Sequence, residues 1–144
     1  MRELVVTLRT RRPGPDLPQE QLRSRSWWTG PELFVVVDDY ELLCAAGENP
    51  LAPLAEFVAQ SAELGLHLVL AREASGARED WDDPLLVALR AAAAPGLLLS
   101  ADEAEGELIG RVAATRLPPG RGTLVSRASR GGPQLVQTAH IRAE

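Results

Sequence analysis

The sequence predicts an α/β fold: a mostly parallel sheet flanked by helices, followed by a C-terminal antiparallel hairpin. Three observations carry the prediction. Short apolar runs alternate with segments of helical period, the order that builds βαβ units and parallel strands. The runs are apolar throughout rather than alternating, as in strands buried on both faces. Near the end, TLVSR and QLVQTA are separated by ASRGGP, a turn-rich link that reads as a hairpin.

Element by element, Leu4, Val5 and Leu8 recur at helical spacing, with Arg9, Arg11 and Arg12 in the last turn, where cations suit the helix dipole. Pro13-Gly14-Pro15 ends this helix, and Asp16 is placed to cap a short helical turn through Gln19–Leu22. Residues 24–31, SRSWWTGP, form a loop, with the Trp pair folded over the strand that follows. That strand is 32–38, ELFVVVD. Asn49-Pro50 opens a helix over 51–63, with Leu54, Phe57 and Val58 on one face and Gly65 as its C-cap. LHLVLA, 66–71, is a second strand, in which His67 reads as a core histidine. After the polar loop 72–83, Asp82 or Asp83 caps a helix at 84–94 that Pro95-Gly96 ends. A third strand, 97–100, a helical segment over 102–109 and the rigid turn LPPGRG lead to the hairpin.

Composition excludes several chemistries. The 144 residues include 15 basic and 20 acidic ones, a net charge of −5, and every basic residue is Arg. A phosphate-binding loop of the G-x-x-x-x-G-K-[ST] type needs a Lys, so the chain holds no intact one, nor a Lys for a Schiff base. One cysteine, Cys44, makes no internal disulfide, and one Cys with two His is too little for a zinc site. No stretch reaches the length of a membrane span and no signal peptide is legible. The acidic balance argues against broad, nonspecific affinity for nucleic acid.

The sharpest local signal is Phe34-Val35-Val36-Val37-Asp38-Asp39: a strand whose apolar run ends in two carboxylates. The C-terminal edge of parallel strands is where open α/β sheets bind ligands. The pattern also suits an acid-capped turn with no chemistry of its own.

The stretch from Trp27 to Ala71, WWTGPELFVVVDDYELL followed by NPLAPLAEFVAQSAELGLHLVLA, resembles the FtsK/SpoIIIE ATPase superfamily. More specifically it resembles the C-terminal ATPase module of EccC, the motor of actinobacterial type VII secretion. PGLLLSADEAEGELIG and LPPGRGTLVSR extend the likeness over about residues 16–138. The resemblance implies part of a RecA-like P-loop NTPase fold, with residues 1–15 a residual helix and linker and 16–142 the C-terminal half of one module. It implies that Asp38 occupies the Walker B magnesium position and Asp39 that of the following, water-orienting acid, which is often Glu in translocating relatives. Arg72 falls where related motors sense the γ-phosphate, although Glu73 stands where those relatives tend to have a second Arg. ATP and Mg²⁺ are the implied cofactors. The implied partners are other ATPase modules of the motor and small helical secreted effectors, at the cytoplasmic face of the membrane through the full-length motor.

Thirty-seven residues precede Asp38, and none is Lys, so the Walker A half of the site is missing and the chain alone is expected not to hydrolyse ATP. Without that half, Val35, Val37, Leu68 and Leu70 are expected near an open sheet edge or an uncovered face, giving marginal stability or self-association. Two other readings compete: a non-catalytic protein-binding module, and a DNA-translocating FtsK relative. The remaining residues read as structure: Trp81 among Asp80, Asp82 and Asp83 in a solvated loop, Arg127 and Arg130 at the hairpin tip, Arg121 on the rigid turn, Ser100 without a nucleophile motif, and His140 in the tail.

Overall fold

Leu33–Val37 (β1) and Leu66–Leu70 (β2) pair in parallel, in the register Leu33 to Leu66, Val35 to Leu68 and Val37 to Leu70. These positions follow from the computed structural model, which describes residues 1–24, 26–44, 49–78, 81–128 and 131–139, with Cys44 by its backbone only. The expected positions Asp80, Arg130 and His140 lie outside the described residues. The chain divides into two compact units, Met1–Arg72 and Glu73–Glu144.

In the first unit, Arg2–Thr10 forms α1, Gln19–Ser24 α2 and Tyr40–Cys44 α3. The helix expected over 51–63 is mostly a 3₁₀ helix, Ala52–Gln60, finished by one α turn, Ser61–Leu64 (α4). Pro53 lacks the amide hydrogen that regular α turns use, and the tighter 3₁₀ pattern opens this segment. Gly65 ends α4 in the left-handed region, at φ 64°. No side chain fits there, since a Cβ on Gly65 would lie 2.6 Å from the Trp28 ring.

Period-two alternation sorts the two strands' side chains. Leu33, Val35, Val37, Leu66, Leu68 and Leu70 share the face that is buried or half-buried. Behind it lies a core of Val5, Leu8, Leu54, Phe57, Val58 and Leu64, with Tyr40 fully buried. Each large core side chain stabilises the fold by about 1.5–3 kcal/mol relative to exposure. The opposite face carries Phe34, Val36 and Val69, which are 64%, 71% and 54% exposed. An uncovered face was expected, but on Val35, Val37, Leu68 and Leu70. The helical layer selects those four, so their neighbours are left outside. His67 stands on the outer face opposite Phe34, not in the core. Its ring stacks on Phe34 at 4.4 Å, and Nε2 lies 3.0 Å from the Glu32 carboxylate.

The second unit departs further from a mostly parallel sheet. Its strands are Gly96–Leu98 (β3), Glu107–Ile109 (β4), Val112–Ala113 (β5), Arg121–Val125 (β6) and Gln134–Gln137 (β7). β3, β6 and β7 form an antiparallel sheet in that order, and β4 and β5 a second antiparallel pair. Among the described residues, the one parallel pairing is β1 with β2. The third strand, expected in the parallel sheet, instead pairs with the first arm of the predicted hairpin. The helix expected over 102–109 shrinks to a 3₁₀ turn, Glu103–Glu105, because Gly106 (φ 65°) breaks it and β4 begins. Gly110 and Arg111, both at positive φ, make the two-residue turn into β5. Pro84–Ala91 (α5) is capped by Asp83, whose carboxylate accepts the Leu85 and Leu86 amides at 3.0 Å each.

Candidate functional site

The acidic pair stands where strand geometry places it. With Val37 opposite Leu70, the chain leaves β1 through Asp38-Asp39 at the same edge at which β2 runs into Ala71 and Arg72. All three sequence-expected site residues, Asp38, Asp39 and Arg72, therefore lie at the C-terminal edge of one parallel pair. Both aspartates are exposed and Arg72 is half-buried. Arg72 already has an interaction partner within the chain.

The turn is held by backbone. The Ala71 amide donates to the Val37 carbonyl at 2.8 Å, and the Ala71 carbonyl accepts from the Tyr40 amide at 3.0 Å. Asp38 and Asp39 thus sit between two bonds to Ala71, the residue just past β2. Asp39 adopts φ 52°, a left-handed conformation that few residues other than glycine take. Its amide donates to Asp38 Oδ1 at 3.1 Å, and its carbonyl accepts from the Leu42 amide at 3.0 Å. Behind the turn, the Tyr40 hydroxyl accepts from Asn49 Nδ2, and Asn49 Oδ1 accepts the Leu51 amide at 2.8 Å. Sequence reasoning passed over Tyr40 and used Asn49 only as a turn marker. An Asn two residues before the amide it captures is an Asx-turn signature that was available.

The opposite, N-terminal edge is organised by a residue the sequence placed only in the last turn of a helix. Arg11 is only 5% exposed. Its guanidinium donates to the Leu64 carbonyl at 2.9 Å and the Pro31 carbonyl at 2.7 Å, just ahead of both strands, and lies 4.1 Å from the Trp28 ring centroid. Trp27 Nε1 donates to the Arg11 carbonyl at 2.6 Å and Trp28 Nε1 to the Glu63 carbonyl at 2.8 Å. The Trp pair is therefore anchored on Arg11 and the end of α4, next to where β1 begins.

Elsewhere among the described residues, several polar groups make structural contacts. Glu56 bonds Arg9 at 2.9 Å and Arg12 at 3.0 Å; the Arg9 hydrogen bond foremost holds its carboxyl below the ordinary range. Asp102 is held low by the Ala104 amide first and by Arg116 at 2.7 Å second. Ser100 Oγ accepts the Leu117 amide at 3.1 Å. Arg90 stacks on Trp81 at 4.3 Å. Among the described residues no three His, Cys, Asp or Glu groups gather as a metal site. The donor set thus fits ATP–Mg²⁺ only in part: the acidic edge is present, and the lysine-bearing phosphate loop is not in this sequence.

An edge with two acids and an arginine is common to many α/β proteins, and likeness to known proteins narrows it. The chain is 48% identical over 140 residues to the ESX secretion system protein EccC of Thermomonospora curvata, covering 97% of itself and 10% of that protein. It is 48% identical over 136 residues to the ESX-4 protein EccC4 of Mycobacterium tuberculosis, covering 94% of itself and 11% of that protein. The solved structure of T. curvata EccC ATPases 2 and 3 in complex with a signal sequence peptide superposes with a TM-score of 0.89 at 46% identity, over 99% of this chain and 25% of that one.

The chain matches a segment of EccC, a type VII secretion ATPase.

It spans about a tenth of the length of the EccC and EccC4 proteins. No family model matches the chain. The match runs through both compact units, so the antiparallel strands of the second unit, as well as the parallel pair, have counterparts in EccC.

Proposed function

We propose that this chain supplies the acidic half of a nucleotide site in an EccC-type secretion motor, within a RecA-like module to which residues 16–142 contribute. One observation carries the reading. Inside a segment that matches EccC, the parallel register delivers Asp38, Asp39 and Arg72 to one strand edge. In this role Asp38 holds Mg²⁺ through its water shell, Asp39 orients the attacking water, and Arg72 senses the γ-phosphate. ATP is the nucleotide, and other modules of the motor are the partners. The motor works at the cytoplasmic side of the membrane; a solved EccC relative is itself described as a cytoplasmic domain. None of the chain's described helices is long and apolar enough to cross a membrane.

The chain by itself has no lysine to bind the transferred phosphate, so the purified 144-residue protein is expected to show no ATP turnover. Turnover abolished by Asp38→Ala in such a sample would overturn this. The positive test is a transplant of this segment into T. curvata EccC in place of its counterpart. The chimera is expected to keep nucleotide-dependent activity and to lose at least about tenfold, or 1.4 kcal/mol, with Asp38→Ala. Equal activity with and without Asp38 would remove it from the site.

A second reading, a protein-binding module, is favoured by the solved relative that holds a signal sequence peptide. Saturable binding of such a peptide to this chain, read by fluorescence anisotropy, would support docking of small helical effectors. A DNA-translocating role has no such observation behind it.

A further inference from the structure

We propose that Tyr40 and Asn49 are positioning residues that lock the Asp38–Asp39 turn in its left-handed shape and so fix where the two carboxylates point. The functional meaning rests on reading these acids as half of a nucleotide site; the lock itself rests on geometry. Asp39, at φ 52°, is not a glycine, and for an L residue this conformation crowds Cβ against the carbonyl. Such a conformation persists where its surroundings over-determine it.

Two ties do so. On one side Ala71 of the β2 exit clasps the turn through Val37 and Tyr40. On the other, Tyr40 carries the restraint inward: its side chain is fully buried, and its hydroxyl meets Asn49 Nδ2. Asn49 is anchored in turn by the Leu51 amide, at the mouth of the 3₁₀ helix. The chain on both sides of the acids is thereby pinned, once to the neighbouring strand and once to the segment that crosses back to it. Released from the second tie, the Asp39 backbone is free to leave the left-handed region, and its carboxylate moves with it.

The test compares the full 144-residue chain in four forms: unchanged, Asp39→Gly, Tyr40→Phe and both together. Glycine removes the left-handed penalty, so Asp39→Gly is expected to raise the folding equilibrium constant about threefold or more when the lock is intact. With Tyr40→Phe already present, Asp39 has relaxed, and the same change is expected to gain less than half as much. The entropy that glycine adds to the unfolded chain enters both comparisons and cancels. An equal gain in both backgrounds would overturn the lock. So would amide NMR signals of Asp38 and Asp39 that Tyr40→Phe leaves unmoved. Should Tyr40→Phe fail to fold, Asn49→Ser serves instead, since its hydroxyl still accepts the Leu51 amide and its shorter side chain gives up the bond to the Tyr40 hydroxyl. Titrating the unchanged chain with MnCl₂ separates the two claims. Relaxation centred on the Asp38 and Asp39 amides supports the nucleotide-site reading. Uniform weak relaxation overturns that reading alone, and the four-way comparison still decides the lock.

Discussion

Arg11 shows how far one side chain's role depends on what folds around it. In the sequence it is one of three arginines closing a helix; in the structure it is buried, bonded to two carbonyls and stacked on Trp28. Removing it strands the Leu64 and Pro31 carbonyls, so Arg11→Ala is expected to lower stability by about 2–4 kcal/mol in urea unfolding. Arg11→Lys is expected to recover only part of that, because an ammonium does not reproduce the planar fork that spans two carbonyls while lying on an indole. A full recovery with Lys would mean that charge alone matters at this position. His67 makes the opposite journey, from expected core to an exposed stack on Phe34. Both residues have a long apolar body and a polar tip, so sequence alone leaves their burial open.

At the scale of elements, caps and ion pairs set the margins. Asp83→Ala removes both bonds to the first turn of α5 and is expected to cost about 1 kcal/mol. Gly65→Ala combines a left-handed φ with the Cβ approach to Trp28 and is expected to cost about 1–3 kcal/mol. Glu56, which joins α1 to the 3₁₀ helix through Arg9 and Arg12, has a folded pKa below its unfolded one. The sign follows: its contribution is present above the ordinary carboxylate range and is lost as pH falls through the depressed folded pKa. Asp102 behaves alike in the second unit. Glu56→Gln is therefore expected to flatten the acid limb of stability against pH, and an unchanged limb would show that the exposed pair contributes nothing. The 3₁₀ start of the crossover and the strand β4 were the elements least legible in sequence. Both turn on single residues, Pro53 and Gly106, acting inside segments whose apolar spacing still reads as helix.

For the molecule as a whole, the outer face of β1 and β2 departs from an ordinary soluble surface. Phe34, Val36 and Val69 face outward on a parallel pair, an arrangement that parallel sheets almost always cover. The chain is expected to self-associate through this face. Val36 and Val69 are register partners, so Val36→Glu with Val69→Lys places opposite charges across the strands. That double variant is expected to lower the apparent mass in sedimentation at micromolar concentration while retaining the fold by circular dichroism. An unchanged mass would rule this face out as the contact.

The strands β1, β2 and β3, the positions of α1 and α5, the hairpin and the acid-terminated edge were legible in sequence alone, because each rests on local chemistry: periodicity, glycine and proline placement, and caps; α3, β4 and β5 were not. The absence of lysine is equally a property of sequence, and it limits any phosphate chemistry whatever the fold does. Only the tertiary structure decided which face of β1 is covered, since ELFVVVD is apolar on both sides and carries no alternation to choose between them. It also decided that β3 pairs antiparallel with β6, that Arg11 is buried, and that Tyr40 and Asn49 stand behind the acidic pair. Those outcomes depend on partners 9 to 53 residues apart in the chain, which the local pattern around each residue does not contain.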